Sequence, residues 1–308
     1  MNETLDEHSG QTIRSLPTGA CDCHAHVYGP FDKFPLAKEA RFTPRVATIG
    51  VLEKLWEVFG IDRAVLVQGS AYATDHRALL AAVTGAIERR RGVATVEPTT
   101  SASTLEELNG NGIRGARINF VRHLSKGFSE TYCRDIVRRI APFGWHLELH
   151  VEASDLGRIR DFVRQSPIDL VIDHMGRVNV ELGLSQAAFS ILRELLKSAR
   201  CWVKLSGADR IVENGALQSA IPFARSLLEA APDRVVWGTD WPHVNVKRTC
   251  SDEELFEFLT QIAPDDVSRN RLLVENPSRL YGFESPPRKI PAPVPSDFTC
   301  KAKPRSLS

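Results

Sequence analysis

No run in this 308-residue chain stays apolar for the roughly 18 residues that a membrane-crossing helix needs. Residues 1–17 are polar and lack a hydrophobic signal region, so the expected location is the cytoplasm, away from any membrane. Charge of one sign is missing too. The 39 basic and 38 acidic side chains leave a net charge of +1, too little to gather nucleic acid electrostatically. The six cysteines stand at unrelated spacings and do not form a disulfide framework. Finally, no Gly-rich phosphate loop follows the first β-rich run, which argues against an open dinucleotide-binding sheet.

What remains is an ordinary globular composition, 43% hydrophobic and 25% charged, able to form a large core. β-rich runs recur at 20–27, 63–68, 93–97, 113–119, 146–151, 170–174, 202–205 and 235–240. Between them, 51–59, 75–89, 130–140, 155–165, 186–198, 217–230 and 252–262 carry apolar residues at helical spacing. The run 88–91, Glu-Arg-Arg-Arg, reads as a helix C-terminus favoured by the macrodipole. Strands alternating with helices imply an α/β fold of the (β/α)8 TIM-barrel type, one domain over 19–284. Residues 1–18 are expected to be a flexible lead-in, and 285–308 a Pro-rich disordered tail. The long connection 31–44 is expected to fold over the barrel mouth.

Chemistry-bearing residues gather at the C-terminal ends of the runs. The first carries His24 and His26, the fourth Arg117 and Asn119, the fifth Glu148 and His150, the sixth His174 and the eighth Asp240. Ser70 follows the second, and Lys204 or nearby Arg210 belongs to the seventh. The interior of a barrel built only for stability prefers branched apolar side chains, so this concentration marks a functional rim. By strand parity Cys21 and Cys23 point away from His24 and His26, behind the barrel wall. His146 lies deeper than His150, and His243 in the last loop is near enough to reach the mouth.

Four segments then carry a family resemblance: Asp22-Cys23-His24-Ala25-His26-Val27-Tyr28-Gly29-Pro30, Gly112-Ile113-Arg114-Gly115-Ala116-Arg117-Ile118-Asn119-Phe120, Ile172-Asp173-His174-Met175-Gly176-Arg177 and Trp237-Gly238-Thr239-Asp240-Trp241-Pro242-His243. With them, the chain resembles the amidohydrolase superfamily, in its branch of 2-pyrone-4,6-dicarboxylate lactonases. The resemblance implies hydrolysis of a small anionic lactone, pyrone dicarboxylate-like or muconolactone-like, in aromatic or sugar-acid breakdown. Asp240 would activate water while His24, His26 and His174 polarise the carbonyl; Arg117, Arg210 and Ser70 would bind substrate.

The chain departs from that pattern at Phe42, where a tyrosine is expected, and at His123, where an arginine is expected. It departs again at His150, which replaces a tyrosine. His123 and His150 therefore join the candidate substrate-binding set. His150 also opens a second route, because His24, His26, His150 and Asp240 form a donor set suited to one divalent metal such as Zn2+. Metal-free and metal-assisted water activation both remain open on these residues, and so do lactone isomerisation and metal-dependent decarboxylation on the same barrel.

Overall fold

The structure, a computed structural model, describes residues 16–122, 127–246 and 250–284. The expected tail, most of the expected lead-in and the candidate His123 lie outside the described residues. Eight strands form one parallel sheet in sequential order: β1 (Cys21–Ala25), β2 (Arg63–Val67), β3 (Arg90–Ala94), β4 (Ile113–Asn119), β5 (His146–His150), β6 (Leu170–Ile172), β7 (Cys201–Leu205) and β8 (Val235–Trp237). The sheet comes round on itself through a parallel bridge between Ala25 and Trp241. Around this seam Asp240 N–H donates to the His24 carbonyl at 2.7 Å and His26 N–H to that of Trp241 at 2.8 Å.

Two sequence features make that seam possible. Gly238 has no side chain where a Cβ would come within 2.5 Å of the His24 backbone nitrogen, so β1 and β8 can touch. The buried Asp22 carboxylate accepts from Thr239 N–H at 3.0 Å, Thr239 Oγ1 at 2.7 Å and Trp56 Nε1 at 3.2 Å. One acid thus ties the first strand, the last strand and the first helix together.

The outer ring follows from amphipathic spacing. Helix α1 (Ile49–Phe59) buries Leu52, Trp56 and Phe59, and α2 (Arg77–Thr84) and α3 (Ala102–Gly110) follow it. Next, α4 (Glu130–Ile140) buries Cys133, Ile136, Val137 and Ile140. After α5 (Arg160–Gln165), α6 (Ala187–Leu195), α7 (Ala208–Ile211) and α8 (Ile221–Ala230) comes α9 (Asp252–Ile262). It starts in a capping box made by Ser251 and Glu254, with Asp252, Glu253 and Glu254 in its first turn. Two short helices, α10 (Asp266–Asn270) and α11 (Asn276–Tyr281), lead to Leu280, Tyr281 and Phe283, which pack into the cluster lining the lower barrel.

Two readings from the sequence need correction. The run at 88–91 does not end a helix: α2 stops at Thr84, and Arg90 and Arg91 begin β3. There the Arg90 guanidinium turns back to the Ala82 carbonyl at 2.8 Å and to the Glu53 carboxylate. Nor do Cys21 and Cys23 sit behind the wall, because they pack with Val65, Val67, Val171, Trp202 and Val236 in the lower interior. The register of β1 against β2 shifts between Asp22 and Ala25. A bulge there adds a residue, so Cys23 and His24 both face inward and simple alternation fails.

Candidate active site

The mouth of the barrel brings His24, His26, His174 and Asp240 together. Asp240, fully buried, stands just past β8 in a left-handed conformation with φ 61°. Its Oδ1 lies 3.7 Å from His24 Nε2 and 3.7 Å from His26 Nε2. His174 Nδ1 lies 4.0 Å from Asp240 Oδ2 and 3.0 Å from Ser206 Oγ. His174 is itself left-handed, with φ 50°, and Gly207 makes room for it: a Cβ there would stand 2.7 Å from its Nδ1. Non-glycine residues held in this region cost about 1–3 kcal/mol each, and such strain concentrates at functional sites.

Each imidazole has a fixed outer partner. His26 Nδ1 donates to the Val67 carbonyl at 2.8 Å. The Lys204 ammonium lies 3.0 Å from His24 Nδ1. His150 Nδ1 pairs with Asn119 Oδ1 at 2.9 Å, and its Nε2 is buried without a hydrogen-bond partner among the described residues. Burial, together with neighbouring cations, holds His24, His150 and His174 well below the ordinary imidazole range, so all three are neutral near pH 7.

Arg210 defines the state of the carboxylate. Its Nε donates to Asp240 Oδ2, and one terminal nitrogen donates to the Val244 carbonyl at 3.0 Å. Burial opposes the charge on Asp240, but its neighbours, chiefly the Arg210 guanidinium, outweigh it and hold the acid well below its usual range. Asp240 is therefore ionised, with Oδ2 engaged and Oδ1 left without a hydrogen bond among the described residues. Arg210, expected to grip a substrate carboxylate, here has its Nε on the Asp240 carboxylate and one terminal nitrogen on Val244 O.

Arg117 is better placed for substrate. Its Nε donates to Asp173 Oδ2 at 2.7 Å, and the residue lines a cavity of about 510 Å3 shared with Ser70, Phe42, Asn119, Ser129 and Tyr132. Phe42 comes from the connection after β1, which folds over the mouth as expected; Phe31, Phe34, Leu36 and Phe42 pack against the core. In a second cavity of about 480 Å3 on its other side, Phe42 meets His243. Beneath the histidines lies a second polar layer, built from Glu148 and Lys204, both noted at strand ends, with Asp173 and His146. Lys204 Nζ stands 2.6 Å from Glu148 Oε1 and 3.7 Å from Asp173 Oδ1, and His146 Nε2 lies 3.3 Å from Glu148 Oε1. His146 thus sits deep, as its position along β5 predicted.

Among the described residues His24, His174 and Asp240 offer donor atoms all within 4.8 Å of one another, a possible metal-ligand group. The quartet expected from the sequence is not gathered as a set: His150 is in no such group, and His26, although 3.7 Å from Asp240, does not join one. The arrangement does not fit a divalent ion. The Arg210 guanidinium already sits on Asp240 and the Lys204 ammonium on His24, so an added cation would share its donors with two buried positive charges.

Fold and site together define a (β/α)8 barrel enzyme whose histidines and one carboxylate converge at the C-terminal rim of the strands. Residues 21–283 match the Amidohydrolase family model, and the chain belongs to that family. It is 38% identical over 277 residues to a 2-pyrone-4,6-dicarboxylate hydrolase of Comamonas testosteroni, covering 86% of this chain and 91% of that one. It is 35% identical over 272 residues to a 4-sulfomuconolactone hydrolase of Hydrogenophaga intermedia, covering 87% and 90%. A crystal structure from Pseudomonas putida, provisionally named a 2-pyrone-4,6-dicarboxylic acid hydrolase, superposes with a TM-score of 0.77 at 32% identity, over 88% of this chain and all of that one. No helix among the described residues is long and apolar enough to cross a membrane.

Proposed function

We propose that the protein hydrolyses a small anionic lactone, with Asp240 as general base and no metal in the reaction. The observation that carries this reading is the open Oδ1 of an ionised, arginine-held Asp240, facing two imidazole nitrogens at 3.7 Å. A water between Asp240 and His26 loses its proton to Oδ1 as its oxygen bonds to the lactone carbonyl carbon. A carboxylate held this low is a weak base toward free water, but the water becomes far more acidic as that bond forms. His24, with His174 behind it, faces the carbonyl oxygen and stabilises the developing oxyanion. Collapse breaks the ring C–O bond, and Asp240 returns its proton to the departing oxygen. The new carboxylic acid then ionises, so each turnover releases one proton.

Arg117 sits where a carboxylate or sulfonate on the substrate can reach its terminal nitrogens, which have no partner among the described residues. Phe42 lines the same cavity without the hydroxyl of a tyrosine. The names of the relatives, a pyrone dicarboxylate hydrolase and a sulfomuconolactone hydrolase, support the same substrate class.

A screen of anionic lactones with a pH indicator tests this reading, with 2-pyrone-4,6-dicarboxylate and 4-sulfomuconolactone as first probes. Proton release at one equivalent per turnover of the pyrone, unchanged by prolonged chelation, is the expected result. Isomerisation would consume lactone with no proton, and decarboxylation would yield CO2. Stoichiometric zinc with chelator-sensitive turnover would overturn the metal-free mechanism.

A further inference from the structure

Lys204 lies wholly inside the barrel with 0% exposure, and its ammonium faces Glu148 at 2.6 Å, His24 Nδ1 at 3.0 Å and Asp173 at 3.7 Å. It forms ion pairs with both carboxylates, the closer one with Glu148. Burial works against ionisation of Glu148, yet the ammonium and His146 outweigh it and hold that carboxyl down to about 2. An ammonium has N–H bonds and no lone pair, so it can only donate to His24 Nδ1. A neutral imidazole that accepts at Nδ1 must carry its proton on Nε2, the atom facing Asp240.

His26 is set the other way. A carbonyl oxygen only accepts, so His26 Nδ1, 2.8 Å from Val67 O, holds a proton, and in the neutral form of this ring the lone pair is at Nε2. In their neutral forms, two imidazoles one residue apart on the same strand end thus present opposite hydrogen-bonding character to one carboxylate oxygen. Chemically that is a matched pair, an N–H for a carbonyl oxygen and a lone pair for a hydrogen of the attacking water.

We infer that Lys204 is a positioning residue that locks His24 in its Nε2–H form, giving the site one donor and one acceptor where two equivalent histidines would leave the assignment open. The same lock removes the lone pair that His24 would need to bind a metal through Nε2. The lactone in this argument rests on the reading above, whereas the tautomer does not and is measured without substrate.

The test is 15N NMR of histidine-labelled protein, with the His24 signals assigned by their loss in His24→Asn. In the wild type the expected pattern at neutral pH is a protonated Nε2 and an accepting Nδ1. In the double variant Lys204→Met/Glu148→Gln the pair is removed together, so neither charge is left buried alone. There His24 should move to averaged or Nδ1-protonated signals. Its kcat should fall roughly 10- to 100-fold with KM little changed, the size of a weakened oxyanion donor. A wild-type His24 protonated at Nδ1 would overturn the inference, as would a folded double variant that keeps the wild-type pattern. Should the double variant not fold, the wild-type spectrum decides alone. An unaltered tautomer lock in a protein that opens no lactone would overturn the substrate reading and leave the role of Lys204 standing.

Discussion

Asp240→Asn is the most informative perturbation, because the structure says what each atom of the new side chain would do. Arg210 donates to the Oδ2 position, so the asparagine carbonyl oxygen takes that side and its NH2 is forced to where Oδ1 stood. A donor then replaces the base and faces His24 Nε2, 3.7 Å from the original oxygen. Loss of a general base costs about 10²- to 10⁴-fold, and replacing acceptor by donor puts this variant near the upper end. A fall of about 10⁴ in kcat corresponds to about 5 kcal/mol of barrier. KM should not rise, since a negative charge has been removed from a site that takes anions.

The variant also leaves the guanidinium of Arg210, 7% exposed, beside a neutral amide. Removing one partner of a buried pair costs about 3–5 kcal/mol, and the retained carbonyl acceptor favours the lower figure. That is a Tm fall of roughly 6–12 °C for a domain this size, so kinetics should be run well below the new transition. The assay is initial-rate proton release on the best anionic lactone, with folding checked by circular dichroism. A folded variant within tenfold of wild-type kcat would refute the assignment. Because Arg210 holds Asp240 well below its ordinary value, the wild-type kcat/KM should also show no acid limb from this base down to about pH 5.

Three further outcomes are expected. Arg117→Met should raise KM for anionic lactones about tenfold or more and leave a neutral lactone nearly unaffected; an equal effect on both would remove Arg117 from anion binding. His243, 3.4 Å from Asp209 and 3.6 Å from Asp252, is held up at about 9 because the two carboxylates outweigh its burial. Its stabilisation is complete below the unfolded value of about 6.5 and lost as pH rises through about 9. The Tm gap between wild type and His243→Gln should therefore close between pH 6.5 and 10, and a constant gap would contradict the ion pair. Gly238→Ala places a Cβ 2.5 Å from the His24 backbone nitrogen, so strand closure must give way. Loss of roughly 3 kcal/mol or more is expected in chemical denaturation, with activity falling in step; an unperturbed variant would show that the seam tolerates more space than its geometry allows.

Much of this protein was fixed by its sequence before any tertiary contact was known. Strand and helix periodicity located all eight strands, and α4 and α9 to the residue, because burial of one face in each element is a local, repeating demand. The short runs at 102–110 and 208–211 escaped notice, since Ala102–Gly110 is mostly polar and Ala208–Ile211 is a single turn. The strand-end residues were legible because they are polar groups where a barrel interior otherwise favours branched apolar ones. Only the folded chain decided their partners. Arg210 meets the Asp240 carboxylate, His150 stayed outside the tight donor cluster, and Cys23 faced inward through a bulge that no alternation rule anticipates. Above all, Lys204 comes from β7, Glu148 from β5 and Asp173 from just past β6, and their meaning lies in distances of a few ångströms across the barrel. Hydrogen-bond direction and charge pairing depend on such through-space geometry, whereas periodicity depends on order along the chain.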